Sequence, residues 1–131
     1  MKESDMGSNK ILIVEDEVEF AGMMKIRLQL AGYDPAVVTD TQSGVNAVLQ
    51  NGFRLIVLDL MMPGGGGFAL LEQIRSVRQS QRLPVVIVTG KTLSSDVQAM
   101  VDTFKVDAVF TKPYSPDRFV EKVRSLAPLA G

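Results

Sequence analysis

The chain has 131 residues, of which 46% are apolar and 22% charged, and its formal net charge is −1 at pH 7. This composition is typical of one soluble globular domain and gives no electrostatic reason to expect a nucleic-acid or anionic-membrane partner. The sequence contains no Cys and no His, which excludes disulfides, thiolate or imidazole metal ligands and a phosphohistidine on this chain, so a metal would have to be a hard cation held by oxygen.

No apolar run approaches the length of a membrane span, and the first residues (MKESDMGSNK) lack the apolar core of a signal peptide. We therefore expect a cytoplasmic protein that has no membrane partner. Residues 1–9 are expected to form a flexible polar tail, residues 10–127 a single domain, and residues 128–131 a short C-terminal tail.

Short apolar runs with the residue types of buried strands alternate with segments whose apolar residues recur at helical spacing. The predicted strands are 10–14, 35–38, 54–58, 85–88 and 108–111. A helix is predicted after each strand. The first helix follows Glu17 and ends at Ala31, and the second is capped by Asp40 or Thr41 and ends at Asn51. The third begins near Gly67 and has Val77 facing inward. The fourth is capped by Ser94 or Ser95 and has Val97 and Phe104 on its inner face, and the fifth begins at Ser115-Pro116 and stops at Pro128.

This alternation predicts an α/β fold in which a doubly wound parallel five-stranded sheet carries helices on both faces. Parallel strands end at one edge of the sheet, where open α/β sheets bind ligands. The polar residues at the strand ends are Glu15 and Asp16, Asp59, Thr89, and Lys112. We interpret Asp59, which follows the buried run LIVL, as the centre of the functional site.

Three carboxylates at one edge need compensation, because each like-charge pair at about 5 Å costs roughly 3 kcal/mol at an effective dielectric of about 20. A divalent hard cation such as Mg²⁺ supplies it. Together with the Lys112 amine and the Thr89 hydroxyl, this arrangement indicates a phosphoryl-transfer site in which Asp59 is the nucleophile and forms an aspartyl phosphate.

These residues resemble the receiver domains of two-component response regulators over nearly the whole chain, from Lys10 to Leu126. The matching motifs, in chain order, are Glu15-Asp16, DLMMPG from Asp59 to Gly64, Thr89-Gly90 and Lys112-Pro113. The resemblance implies a flavodoxin-like (βα)5 sheet of strand order 2-1-3-4-5.

The resemblance also implies the roles of the site residues. Mg²⁺ (or Mn²⁺) would be bound by Asp16, Asp59 and the backbone carbonyl of Met61, with Glu15 acting through water. Lys112 would pair with the phosphoryl group, Thr89 would move to donate to it, and Lys112-Pro113 would be a cis peptide.

A receiver domain implies a signalling module rather than an enzyme, although it takes part in its own phosphorylation and dephosphorylation. The partners would be a histidine kinase or histidine phosphotransfer protein, a downstream effector and, in some cases, a second copy in a phosphorylation-dependent homodimer. The signal would be displayed on the fourth helix, fifth strand and fifth helix.

Three positions depart from the usual family pattern. Gly65, Gly66 and Gly67 stand where Met-Asp-Gly is common, which predicts a freer loop. Val109 occupies the position of the usual switch aromatic, and Phe110 is expected on the opposite face of its strand. Lys105-Val106 replaces small residues.

Two alternatives stay open. The Val109 position favours a degenerate receiver that binds proteins constitutively, and absence of Mg²⁺ affinity would support it. A haloacid-dehalogenase-type phosphatase also uses a strand-end Asp, but it needs a second Asp where this chain has Met61, and a cap insertion. Turnover of phosphate esters would support that alternative.

Overall fold

The fold was analysed in a computed structural model, which describes residues 9–50, 52–60, 62, 66–90 and 94–130. Its strands are β1 (Lys10–Val14), β2 (Asp34–Val38), β3 (Leu55–Leu58), β4 (Val85–Thr89) and β5 (Ala108–Thr111). Its helices are α1 (Val18–Leu30), α2 (Thr41–Gln50), α3 (Gly66–Ser76), α4 (Ser95–Thr103) and α5 (Pro116–Leu126), with a short 3₁₀ helix at Arg78–Ser80. Among the described residues, no helix combines the length and the apolar character needed to cross a bilayer.

The strands form one parallel sheet in the order β2-β1-β3-β4-β5, which confirms the predicted fold class and strand order. The register pairs Val14 with Leu58. Asp59 therefore follows β3 at the level where Glu15 follows β1, and the Asp59 backbone N–H donates to the Val14 carbonyl at 3.1 Å. This register places the two acids side by side.

The central strands are buried on both faces, which explains why they are apolar except at their ends, where Lys10 opens β1 and Thr89 closes β4. One core contains Leu12, Ile56 and Ile87 under α2, α3 and α4. The other contains Ile13, Val57 and Val88 under α1 and α5. Because no polar residue interrupts these strands, the polar groups are confined to the edges of the sheet.

Helix caps follow the sequence expectations in the described regions. The Asp40 side chain accepts the Ser43 backbone N–H at 2.8 Å, while Ser94 and Ser115 cap α4 and α5 at 3.3 Å. Pro116 occupies the first turn of α5, where its missing N–H is tolerated.

Element boundaries differ from the predictions by a residue or two. Strand β4 extends to Thr89, and α3 ends at Ser76, so Val77 lies outside the helix that was predicted to include it. In α4 only Val97 is fully buried, and Phe104 is half-buried at the C-cap. The inner face of α4 is therefore less completely covered than its apolar pattern predicts.

Candidate functional site

The carboxyl edge of the sheet brings four of the predicted residues to one place. Glu15 follows β1, Asp59 follows β3, Thr89 ends β4 and Lys112 follows β5. The side chains of Glu15 and Asp59 are only 1% and 3% exposed. Buried carboxylates in an otherwise apolar sheet are unfavourable unless they are paired.

Lys112 supplies that pairing. Its Nζ atom lies 2.8 Å from Glu15 Oε1, 2.9 Å from Glu17 Oε1 and 3.4 Å from Asp59 Oδ2. The three donor hydrogens of an ammonium match these three carboxylates. One amine therefore holds acids from β1, from the start of α1 and from β3 together.

Burial and neighbouring charges shift the pKa values of both Glu15 and Lys112. Burial, reinforced by the negative charge of Asp59, raises the pKa of Glu15 to about 7 although the Lys112 hydrogen bond opposes the shift. For Lys112, burial would lower the pKa, but hydrogen bonds to Glu15 and Glu17 outweigh it and raise the pKa above its usual value. Because burial is the largest cause of the Glu15 shift, its raised pKa reflects the loss of solvent around a carboxyl group that also lies next to Asp59.

The donor set fits a hard divalent cation. Carboxylate oxygens of Glu15, Glu17 and Asp59 lie within 4.8 Å of one another, and such hard oxygen donors are those that Mg²⁺ prefers. This group contains Glu17, whereas Asp16, which the resemblance assigns to the metal, is half-buried and is not a member of it. The Met61 carbonyl lies outside the described residues.

An aromatic cluster borders the amine on the α1 and α5 side. The Phe20 ring centroid lies 4.1 Å from Lys112 Nζ, within the range of a cation–π interaction. Tyr114 packs against Phe20, Phe110 and Phe119 at centroid distances of 5.5, 6.2 and 5.3 Å. Burial raises the pKa of Tyr114 to about 12.

Glycines bring α3 close to Asp59. Gly66 has a φ of +71°, and a Cβ on Gly66 would lie 2.7 Å from the Leu60 carbonyl oxygen. A Cβ on Gly67 would lie 2.6 Å from the Asp59 carbonyl oxygen. The glycine run was predicted to loosen this loop, but at these two positions it permits tight packing of the α3 N-terminus on the end of β3.

The remaining predicted residues flank the acids. Thr89 is fully buried, and its carbonyl accepts the Lys112 backbone N–H at 2.8 Å. Gly90 is exposed, and the Lys112–Pro113 peptide bond is cis. Val109 packs against the α4 side of the sheet and Phe110 against the α5 side, which confirms that Phe110 faces away from the usual switch position.

Sequence reasoning missed the part played by Glu17 and Phe20. The sequence places Glu17 only at the start of the first helix and assigns no role to Phe20. The signal that could have identified them is their position shortly after the acidic pair Glu15-Asp16, at the start of the helix that follows β1.

The fold and this edge define a doubly wound α/β domain with a cluster of carboxylates at the carboxyl edge of its sheet, and comparison with known proteins identifies the family. Residues 11–124 match the response regulator receiver domain. The response regulator ArlR of Staphylococcus saprophyticus is 35% identical over 117 residues, covering 89% of this chain and 51% of that protein. The chain belongs to the response regulator receiver family and is a signalling module of two-component systems.

Solved structures agree with this assignment. A CheY-like receiver domain protein from Methanospirillum hungatei is 25% identical with a TM-score of 0.83, covering 90% of this chain and 92% of that one. The Francisella response regulator 1452 receiver domain is 28% identical with a TM-score of 0.82, covering 92% and 97%. The chain spans about half the length of the curated relatives that it matches.

Proposed function

We propose that Asp59 accepts a phosphoryl group from a phosphohistidine on a partner histidine kinase or phosphotransfer protein. These 131 residues contain no His, so a phosphohistidine donor would lie outside them. The observation that carries the proposal is the buried Asp59 carboxylate at the carboxyl edge, 3.4 Å from the Lys112 amine and beside Glu15.

In the proposed reaction an Asp59 carboxylate oxygen attacks phosphorus, the N–P bond of the donor breaks, and the imidazole leaves with the electron pair and takes up a proton. Asp59 is suited to this role because the packing of β3 and the α3 glycines holds it in place. Negative charge moves from the Asp59 carboxylate to the phosphoryl oxygens during the reaction, and the Lys112 amine would shift its interaction to those oxygens.

Asp16, Asp59 and the Met61 carbonyl would hold Mg²⁺ or Mn²⁺, with Glu15 acting through water. The bound ion would neutralise charge on the phosphoryl oxygens. The closeness of the Glu15 and Asp59 carboxylate oxygens supports the part of this proposal that concerns those two residues. A cytoplasmic location, with residues 10–127 as the phospho-acceptor domain, belongs to the same proposal.

Thr89 would donate to the phosphoryl group and so link the site to a protein-interaction surface made of α4, β5 and α5. One charge-assisted hydrogen bond contributes about 1.5–3 kcal/mol, which is enough to shift only a finely balanced equilibrium. The partial exposure of β5 and the single fully buried residue of α4 support this surface as the part that responds.

The outer face of α1 supports docking of the donor next to the acids. Met23, Ile26 and Leu30 form an apolar stripe along this helix and are 64%, 57% and 81% exposed. The helix begins one residue after Glu17. A partner helix seated on the stripe would bring its phosphohistidine toward the carboxyl edge of the sheet.

The test is intact-mass spectrometry after incubation with acetyl phosphate, with Mg²⁺ or with a chelator. We expect the wild-type chain to gain the mass of one phosphoryl group only with the metal, and the Asp59→Asn variant to gain none. A wild-type chain that neither gains mass nor binds Mg²⁺ would instead support a degenerate, constitutive binding module.

A further inference from the structure

We propose that Glu17 is a positioning residue that holds the Lys112 ammonium at the mouth of the site and releases it when Asp59 is phosphorylated. This inference rests on the proposed function and adds a residue to which neither the sequence motifs nor the family comparison assigns a role. Glu17 would act through Lys112 and would not itself contact the reacting atoms.

The distances show where the amine is held. Lys112 Nζ is 2.8 Å from Glu15 and 2.9 Å from Glu17, but 3.4 Å from Asp59. An ammonium has three donor hydrogens and three carboxylates surround it. One phosphoryl oxygen on Asp59 can replace the Asp59 contact, but an amine that donates a second hydrogen bond to the phosphoryl group must release Glu15 or Glu17.

Exposure identifies the carboxylate that leaves. The Glu17 side chain is 63% exposed, compared with 1% for Glu15 and 3% for Asp59. Water solvates a released Glu17 carboxylate readily, whereas a released Glu15 would be left as an unpaired buried charge. Glu17 is therefore the partner that exchanges most easily for a phosphoryl oxygen.

Local structure fixes Glu17 in reach of the amine. Glu17 is the N-cap of α1 with an extended backbone (φ −79°, ψ 102°), and its N–H donates to Glu15 Oε2 at 3.3 Å. The Phe20 ring, on the first turn of the same helix, lies 4.1 Å from Lys112 Nζ. The start of α1 thus surrounds the amine with a carboxylate and an aromatic ring.

Neutralising Glu17 should weaken its hold on Lys112, so that the amine pairs more easily with a phosphoryl oxygen. It should also remove one negative charge that faces an anionic donor. We expect Glu17→Gln to accelerate labelling of Asp59 by acetyl phosphate at saturating Mg²⁺ about two- to five-fold, the range that an exposed ion pair supports. The matched control is Glu19→Gln, the same change at an exposed acid in the first turn of α1, which we expect to leave the rate unchanged.

Calorimetric Mg²⁺ titration separates this role from metal ligation. We expect Glu17→Gln to weaken Mg²⁺ binding less than about three-fold, as for loss of a neighbouring charge rather than of a ligand. A weakening of tenfold or more together with slower labelling would make Glu17 a metal ligand and overturn the proposal.

A double-mutant cycle tests the contact without phosphorylation. In metal-free chemical denaturation, Glu17→Gln should be coupled to Lys112→Met, whereas Glu19→Gln should not. Two results would overturn the role of Glu17 while leaving the proposed function intact, provided that the wild-type chain is labelled. The first is equal labelling rates for Glu17→Gln and Glu19→Gln, and the second is the absence of coupling between Glu17→Gln and Lys112→Met. A wild-type chain that is never labelled on Asp59 would overturn the proposed function, and with it the role of Glu17.

Discussion

Gly67 lies directly against the backbone of Asp59, so close that a Cβ added to Gly67 would be 2.6 Å from the Asp59 carbonyl oxygen and 3.1 Å from a Leu58 side-chain carbon. The obstructing oxygen belongs to the backbone and cannot rotate away. The first turn of α3 and Asp59, which follows β3, are therefore packed as one unit, and a change in the helix should alter the position of the Asp59 carboxylate.

Gly67→Ala should lower the free energy of unfolding by about 1–3 kcal/mol, the usual penalty for overpacking. It should also slow labelling of Asp59, because the end of β3 must shift. The control is Gly22→Ala in α1, where a Cβ would meet nothing within 4 Å; this change should stabilise the protein by about 0.5–1 kcal/mol. Urea denaturation measures both effects, and equal stability of the two variants would contradict the packing described here.

Arg75 should be a structural cross-link at the opposite edge of the sheet. Its guanidinium donates to the carbonyls of Phe104 and Leu83, both at 2.7 Å, and to those of Ser80 and Lys105, both at 3.3 Å. It thereby joins the end of α3 to the turn before β5 and to the loop before β4.

Arg75→Lys should destabilise the protein by about 2 kcal/mol, because an ammonium cannot reproduce a planar fork that serves several carbonyls. The control is Arg82→Lys, at an exposed arginine nearby, with an expected change below about 0.5 kcal/mol. Chemical denaturation of the two variants measures the difference. Similar midpoints would show that these hydrogen bonds contribute little.

Lys112→Met should leave the carboxylates of the site without the ammonium that pairs with them. Without the amine, the buried Glu15 and Asp59 carboxylates lose their cationic partner, so metal-free stability should fall by about 2 kcal/mol or more. For the same reason Mg²⁺ should bind more tightly and restore part of that stability. Thermal unfolding with and without Mg²⁺ measures both effects, with Lys25→Met at an exposed α1 position as the control. Equal Mg²⁺ affinity in the wild type and in Lys112→Met would contradict this account.

Ionisation of the buried Tyr114 hydroxyl should lower the free energy of unfolding at high pH. Burial raises its pKa from 10.0 to about 12, so the unfolded chain loses this proton before the folded one does. The contribution of Tyr114 is therefore fully present below about pH 10 and is lost as the pH rises toward 12. The sequence has no Trp and two Tyr, so tyrosinate absorbance follows both rings without interference.

The assignment depends on comparing two variants. Tyr114→Phe should remove the titration step near pH 12 and flatten the decline in stability, whereas Tyr33→Phe should leave that step in place. Burial also raises the pKa of Tyr33, but its hydroxyl donates to the Ala127 carbonyl, away from the site. A Tyr114 step at the ordinary value for tyrosine would contradict the burial of the aromatic cluster.

Much of the fold could be predicted from the sequence because pattern and topology agree. Largely apolar strands alternate with segments whose apolar residues recur at helical spacing, which leaves few arrangements other than a doubly wound parallel sheet. The meeting of Glu15, Asp59 and Lys112 follows from the shared edge of parallel strands.

The contacts that sequence analysis missed depend on side-chain reach and on close backbone approach. The contact of Glu17 with Lys112 depends on how far the Lys112 side chain extends from the end of β5 toward the start of α1, which no spacing along the chain encodes. Similarly, the sequence marks Gly66 and Gly67 as permissive residues, but only the packing of α3 on β3 shows that they are sterically required.

The central claim is that Asp59 is the residue that becomes phosphorylated, and mapping the modified residue tests it most directly. Wild-type protein is labelled with acetyl phosphate and Mg²⁺, the acyl phosphate is trapped by borohydride reduction, and the peptides are sequenced by mass spectrometry. Our account predicts the reduced residue at position 59 and at no other acid, and its loss when the metal is chelated. Modification at Asp16 or Glu17 with Asp59 unchanged, or labelling that persists in Asp59→Asn, would contradict it.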